Sequence, residues 1–209
     1  MLTTALAGAM IAISFSAPPG PVALETIRRG LRGGFGPALR VQLGSIIGDA
    51  MWCLIAVLGL APLIQTGWVR GVLSVVGAGV LIYLGACGIR DAIKSSGLPS
   101  VEAATVATSA FRSGMVISVA NPMAVGYWLS VSASLVATGV VGATPPDVFS
   151  FIIGFLAGTL AWAFLMAFAV RWSKRIMTPV TFRTVTFVCG AVLIVFGAML
   201  ASQILSAVA

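Results

Sequence analysis

Six continuous apolar runs, at 2–27, 37–64, 68–89, 111–137, 146–170 and 181–207, take up almost all of this 209-residue chain. Each is long enough to cross a hydrocarbon core of about 30 Å as a helix, at 1.5 Å per residue. Transmembrane barrel strands alternate apolar and polar residues over short segments, and these runs do not alternate. Hydrophobic residues make up 59% of the chain, charged residues 8%, and the mean hydropathy is +1.11. No water-soluble domain of this length normally has that balance. The fold class read from the sequence is an all-α integral membrane protein with six transmembrane helices, which leaves almost no mass for a soluble domain.

The second half reads as a repeat of the first, against the plainer reading that short apolar words match by chance. Gly44, Gly48 and Trp52 have the spacing of Gly154, Gly158 and Trp162. Val80-Leu81-Ile82 followed by Gly85-Ala86 recurs as Val192-Leu193-Ile194 followed by Gly197-Ala198. The two matches keep their order and nearly the same offset along the chain. A unit of three crossings must face opposite ways in its two copies, so the expected arrangement is two inverted three-helix repeats, 1–90 and 111–209, joined by a cytoplasmic linker at 91–110. An inverted repeat lets a transporter open alternately to either side, which makes transport the leading functional expectation.

The net charge of +7 would suggest nucleic acid or acidic partners for a soluble protein. Here the cations fall in alternate connections. Arg28, Arg29, Arg32 and Arg40 are expected between helices one and two. Arg90, Lys94 and Arg112 fall between three and four, and Arg171, Lys174, Arg175 and Arg183 between five and six. Arg70 alone is on the other side. The positive-inside rule then places those three connections in the cytoplasm and both termini outside. Met1-Leu2-Thr3-Thr4 lacks the basic start of a secretory signal, so the first segment is expected to be retained. Cys53, Cys87 and Cys189 fall in three different apolar runs without a CxxC pair and read as small core residues. The chain has no histidine, the commonest metal ligand and the usual near-neutral proton carrier.

Two interruptions carry the chemistry. Pro18-Pro19-Gly20-Pro21 breaks the first run and Asn121-Pro122 the fourth. Proline removes a backbone donor and frees a carbonyl, and such groups must be satisfied inside the bundle or line a wet cavity. Pro19 lies nine residues before Arg28, and Asn121 nine residues after Arg112. At 1.5 Å per residue both breaks lie about 13 Å into the bilayer. Paired breaks at one depth point to a substrate site, or else to two packing kinks.

Asp49, the one acid deep inside an apolar run, is nine residues from Arg40 and shares that depth. A carboxylate there costs about 3 kcal/mol on insertion scales, and burial disfavours its charged form. It is the candidate for exchanging a proton or holding a substrate ammonium group, against the plainer reading of a hydrogen bond between helices. Glu25, one turn before Arg28 and Arg29, is either a second acidic step toward the cytoplasm or a partner of those arginines. Asp147, after Pro145-Pro146, suits a helix N-terminus. Asp91 and Glu102 are expected in the connection between the repeats, whose 95–100 stretch reads as a linker. The paired glycines put small residues on one face of helices two and five. Trp52 and Trp162 either border the cavity or pack the core, and Trp68 and Trp172 read as interfacial anchors.

Pro19-Gly20-Pro21, Gly30-Leu31-Arg32-x-Gly34 and Gly44-x-x-x-Gly48-Asp49 together resemble the signature of the LysE/RhtB family of amino-acid exporters. Phe111-x-x-Gly114 with Asn121-Pro122 resembles that family's second motif. The likeness spans both halves. It implies a six-helix bacterial inner-membrane exporter of amino acids or related compounds, driven by proton exchange, and implies that Gly20, Pro21, Gly48, Asp49, Asn121 and Pro122 form or shape the central site. Many relatives follow Asn-Pro with lysine, whereas Met123 stands here, so no particular substrate transfers.

The expectation is thus a secondary exporter and not an enzyme, with no cofactor, metal or nucleic acid. Its partners are an amino-acid-like solute, protons and the bilayer, and a homodimer stays open. A passive channel is the first rival, with Asp49 tuning selectivity. An intramembrane redox protein would need facing cysteines at the breaks, and they carry none. A structural assembly protein would explain the glycine faces but not the buried acid.

Overall fold

The structure is a computed structural model and describes residues 1–18, 20–58, 67–94, 103–121, 124, 127–128, 131, 144–175 and 178–208. They form seven helices: α1 (Leu2–Ser16), α2 (Pro21–Gly33), α3 (Phe35–Val57), α4 (Gly67–Lys94), α5 (Ala103–Val119), α6 (Pro145–Arg175) and α7 (Pro179–Val208). There is no strand among the described residues. Polar side chains turn inward, including Glu25, Thr26, Gln42, Asp49 and Thr186, while Leu165, Phe168, Val188 and Met199 turn outward. That inversion is what a lipid solvent imposes, and the protein is a multi-pass helical membrane protein.

The helices α3, α4, α6 and α7 each contain a stretch long and apolar enough to cross the membrane. The first apolar run is two helices, α1 and α2, which pass that test together as one span bent by 72°. Gly20 caps α2 in an extended conformation, and Pro21 takes the first helical position, where an N–H would have no partner anyway. The helix α2 runs six residues past the apolar run and ends at Gly34, whose φ of 78° suits glycine and lets α3 start at once. The loop expected between the first two crossings is therefore absent. Arg28, Arg29 and Arg32 lie on α2 and Arg40 on α3; with Glu25 the three arginines of α2 fall three and four residues apart, the helical period that makes α2 amphipathic rather than unstructured. Asp91, expected in a connection, lies in the last turn of α4. Of the fourth run, α5 covers the first part, and Ala120 and Asn121 turn out of it. Pro19, Glu102, Pro122, the 95–100 linker and most of 122–143 lie outside the described residues.

Three pairings build the bundle: α3 on α5, α1 on α6, and α4 on α7. Small residues bring each pair into backbone contact. A β-carbon at Gly44 would strike the Phe111 carbonyl, and one at Gly114 the Val41 carbonyl. Between α1 and α6, a β-carbon at Gly8 would strike Phe151 and one at Gly154 the carbonyl of Ala5. Between α4 and α7, Gly85 meets Gly190, and Gly197 meets Ala78 and Ile82. The helix α2 packs into the middle, against α3, α4, α5, α6 and α7. Ala12, Trp52, Trp128, Phe151 and Phe155 fill the arginine-poor end. Leu31, Val170 and Phe182 pack the arginine-rich end.

Candidate transport site

A cavity of about 230 Å³ opens where α1 gives way to α2. The end of α1 lines it with Ser14, Phe15 and Ser16, the break with Pro18 and Gly20, and the first turn of α2 with Pro21, Val22 and Ala23. The helix α3 contributes Gln42, Ser45 and Asp49, spaced three and four residues apart and so on one face. Asn121 comes from the second break, Tyr127 from beyond it and Trp162 from α6. Residues of both interruptions thus border one space.

Asp49 is 5% exposed, and its Oδ1 accepts a hydrogen bond from Ser118 Oγ of α5 at 2.6 Å. Gly48 makes this contact feasible: a β-carbon there would stand 2.5 Å from that same Oγ. The Nε1 of Trp52 donates to the Ser118 carbonyl at 3.2 Å, so one residue of α5 is held at both its side chain and its backbone. The Gly48-Asp49 pair with Trp52 therefore acts as a unit, in which the glycine admits Ser118, the acid accepts from its hydroxyl and the indole fixes its carbonyl. Thr159 follows Gly158 as Asp49 follows Gly48, and its hydroxyl donates to the Phe155 carbonyl of its own helix.

The remaining polar lining is neutral. Tyr127 Oη lies 2.8 Å from Ser14 Oγ and donates to the Ile11 carbonyl at 3.1 Å, while its ring packs 4.9 Å from Phe15. Gln42 Nε2 donates to Thr26 Oγ1 at 2.9 Å, joining α3 to α2 just past the cavity. Asp49 is the one carboxylate among the described lining residues, and no lysine or arginine stands with it.

Of the residues expected at the site, Gly20, Pro21, Asp49 and Asn121 line the cavity, whereas Gly48 does not line it and packs against Ser118 and Val119 of α5. Pro19 and Pro122 lie outside the described residues. Glu25 does not line the cavity; it is fully buried with both oxygens taken by Arg28 and Arg29, which is the arginine-partner reading of that acid. Trp162 borders the cavity, whereas Trp52 is in the core. Ser14, Gln42, Ser45 and Tyr127 were not singled out in the sequence, because isolated neutral polar residues in apolar runs carry no spacing signal. Asp147 sits in the first turn of α6 and accepts from Thr144 Oγ1 at 2.7 Å, a helix-start role.

The sequence model of the LysE type translocator family matches residues 13–204. The chain is 41% identical over 197 residues to a chemotactic transduction protein, ChpE, of Pseudomonas aeruginosa, covering 93% of this chain and 95% of that one. It is 31% identical over 182 residues to the threonine efflux protein of Escherichia coli K12, covering 84% and 86%. A leucine efflux protein of Salmonella typhimurium is 32% identical over 117 residues, covering 54% and 53%. No solved structure matches. With the family model matching nearly the whole length, this chain belongs to the LysE translocator family.

Proposed function

We propose that this protein is a secondary active exporter of an amino acid or related small solute across the bacterial inner membrane, exchanging solute for protons, and not an enzyme. The observation that carries the reading is Asp49: a buried carboxylate on a cavity bordered by both helix interruptions. A single acid in such a place has the chemistry to exchange a proton and to meet a substrate ammonium group. Relatives named as threonine and leucine efflux proteins support a solute of this class, and the ChpE name adds no solute of its own.

The finer architecture belongs to the same proposal: six spans in two inverted three-helix repeats, with both termini outside. The close contacts support it. Gly44 meets Phe111 as Gly154 meets Ala5, and Gly114 meets Val41 as Gly8 meets Phe151. Position by position, the α3–α5 contact maps onto α6–α1, with nearly equal shifts from Gly44 to Gly154 and from Gly114 back to Gly8. The α4–α7 contact maps onto itself, Gly85 on Gly190 matching Gly197 on Ala78.

The test is reconstitution into vesicles with a panel of amino acids inside. An imposed proton gradient is expected to drive saturable solute loss from the vesicles, with matching proton movement. Saturable flux without any proton movement would remove the antiport, and unsaturable flux would make the protein a channel.

A further inference from the structure

On the arginine-rich side of the cavity, α2 carries a charge cluster into the core that the transport site does not use. Glu25 is fully buried and Arg28 is 4% exposed. Arg28 donates from Nε to Glu25 Oε2 at 2.7 Å and from Nη2 to Oε1 at 2.9 Å, and Arg29 Nε donates to the same Oε1. These partners are three and four residues apart on one helix, so the bonds travel with α2 as a body. A second set crosses between helices. Arg28 Nη1 donates to Asp91 Oδ2 at 2.9 Å, and Arg32 Nη1 donates to that same oxygen, both reaching the last turn of α4.

Buried ion pairs rarely stabilise a fold better than apolar packing, and their best-attested service is to select one arrangement over another. The rest of α2 fits a moving part. Its first turn, Pro21 to Ala23, borders the cavity, its two ends are Gly20 and Gly34, and the stem of Arg28 passes through a slot whose wall is Gly88. A β-carbon at Gly88 would stand 3.1 Å from Arg28 Cδ.

We propose that α2 is the gate on this side of the cavity and that Asp91 is its latch. When α2 swings from α4, the bonds of Arg28 and Arg32 to Asp91 part, while Glu25 stays on Arg28 and spares it from facing the membrane interior unpaired. The contacts of α2 with α4 stand on this geometry alone; that their parting admits a solute rests on the exporter reading, and the cytoplasmic side on the arginines. The transport site and the latch are then the two ends of one 13-residue helix.

The test uses Ala23→Cys, on the cavity wall, in protein with Cys53, Cys87 and Cys189 replaced by alanine. A membrane-impermeant maleimide is applied from the arginine-rich face. Asp91→Asn is expected to raise the labelling rate at least threefold, and Asp91→Glu to bring it back toward the parent. Arg32→Gln, which removes one latch bond at a partly exposed site, is expected to give a smaller rise and serves should Asp91→Asn not yield monodisperse protein. In parallel, Arg32→Cys with Asp91→Cys in the same cysteine-free background, joined through two disulfides by a short bis-methanethiosulfonate, is expected to cut solute flux at least tenfold, with recovery on reduction. Unchanged labelling in the folded neutralised variants, or full flux in the cross-linked protein, would overturn the latch. Absence of flux in every form, the unmodified protein included, would count against the exporter reading, while the labelling comparison still decides the gate.

Discussion

Asp49 can accept from Ser118 only because the residue before it has no side chain, and that dependence makes the pair testable by two substitutions with different outcomes. Asp49→Asn keeps the size of the side chain and an oxygen for Ser118, so folded protein is expected in normal yield. What it loses is the exchangeable proton. Proton-driven solute accumulation in vesicles is expected to fall at least tenfold, while Asp49→Glu retains part of it. If the amide variant still accumulates solute with unchanged pH dependence, Asp49 is a packing residue. Gly48→Ala acts on the other side of the contact. Its methyl group would press on Ser118 and on the Val119 amide, so α5 must shift, and both yield and flux are expected to drop. At this scale the sequence was legible where chemistry is rare. An acid in a long apolar run stands out whatever its partners, as do Asn121 and the Gly20-Pro21 break. Asp91 did not stand out, because its helix outlasts the apolar run by more than a turn and the acid is recognisable as a partner only once α2 lies beside α4.

The helices cohere through pairs whose backbones touch, so bulk at a contact glycine and bulk at a free one must differ. A β-carbon at Gly114 meets the Val41 carbonyl at once, whereas Gly79 of α4 has nothing within 4 Å of that position. Gly114→Leu is expected to cost about 1–3 kcal/mol or more through forced separation of α3 and α5, read as a lower melting temperature in detergent. Gly79→Leu should leave the melting temperature within error. Equal effects would mean that close backbone approach does not hold the bundle. The glycine faces of α3 and α6 were readable as spaced small residues, but their partners were not, since a small face says that something comes close and not what. The division of the first run into α1 and α2 followed from its prolines. The direct passage from α2 into α3 did not, because charged residues at 28–40 look alike in a loop and on an amphipathic helix.

For the whole molecule, the arginines give each long helix a direction. They lie near the start of α3 and α7, at Arg40 and Arg183, and near the end of α4 and α6, at Arg90 and Arg171. The helix α5, with Arg112 ahead of the Asn121 break, leaves the arginine-rich face as α3 does. On the proposed six-span arrangement the chain departs from that face in α3, returns in α4, departs in α5, returns in α6 and departs in α7. With α2 ending at the arginine-rich face, the proposed topology starts α1 on the opposite one and brings both termini to one side. A reporter fused after Ala209 is expected to be external, as is one inserted near Gly142, while one near Ser96 is expected to be cytoplasmic. The outcome bears on more than orientation. Alternating access by an inverted repeat needs the two halves to run oppositely through the membrane, and the matched contacts of α3 on α5 and α1 on α6 have that meaning only if they do. A cytoplasmic C-terminus would make the number of crossings after Ser96 even, set the two halves out of register, and leave the matched glycine contacts as two unrelated packing solutions.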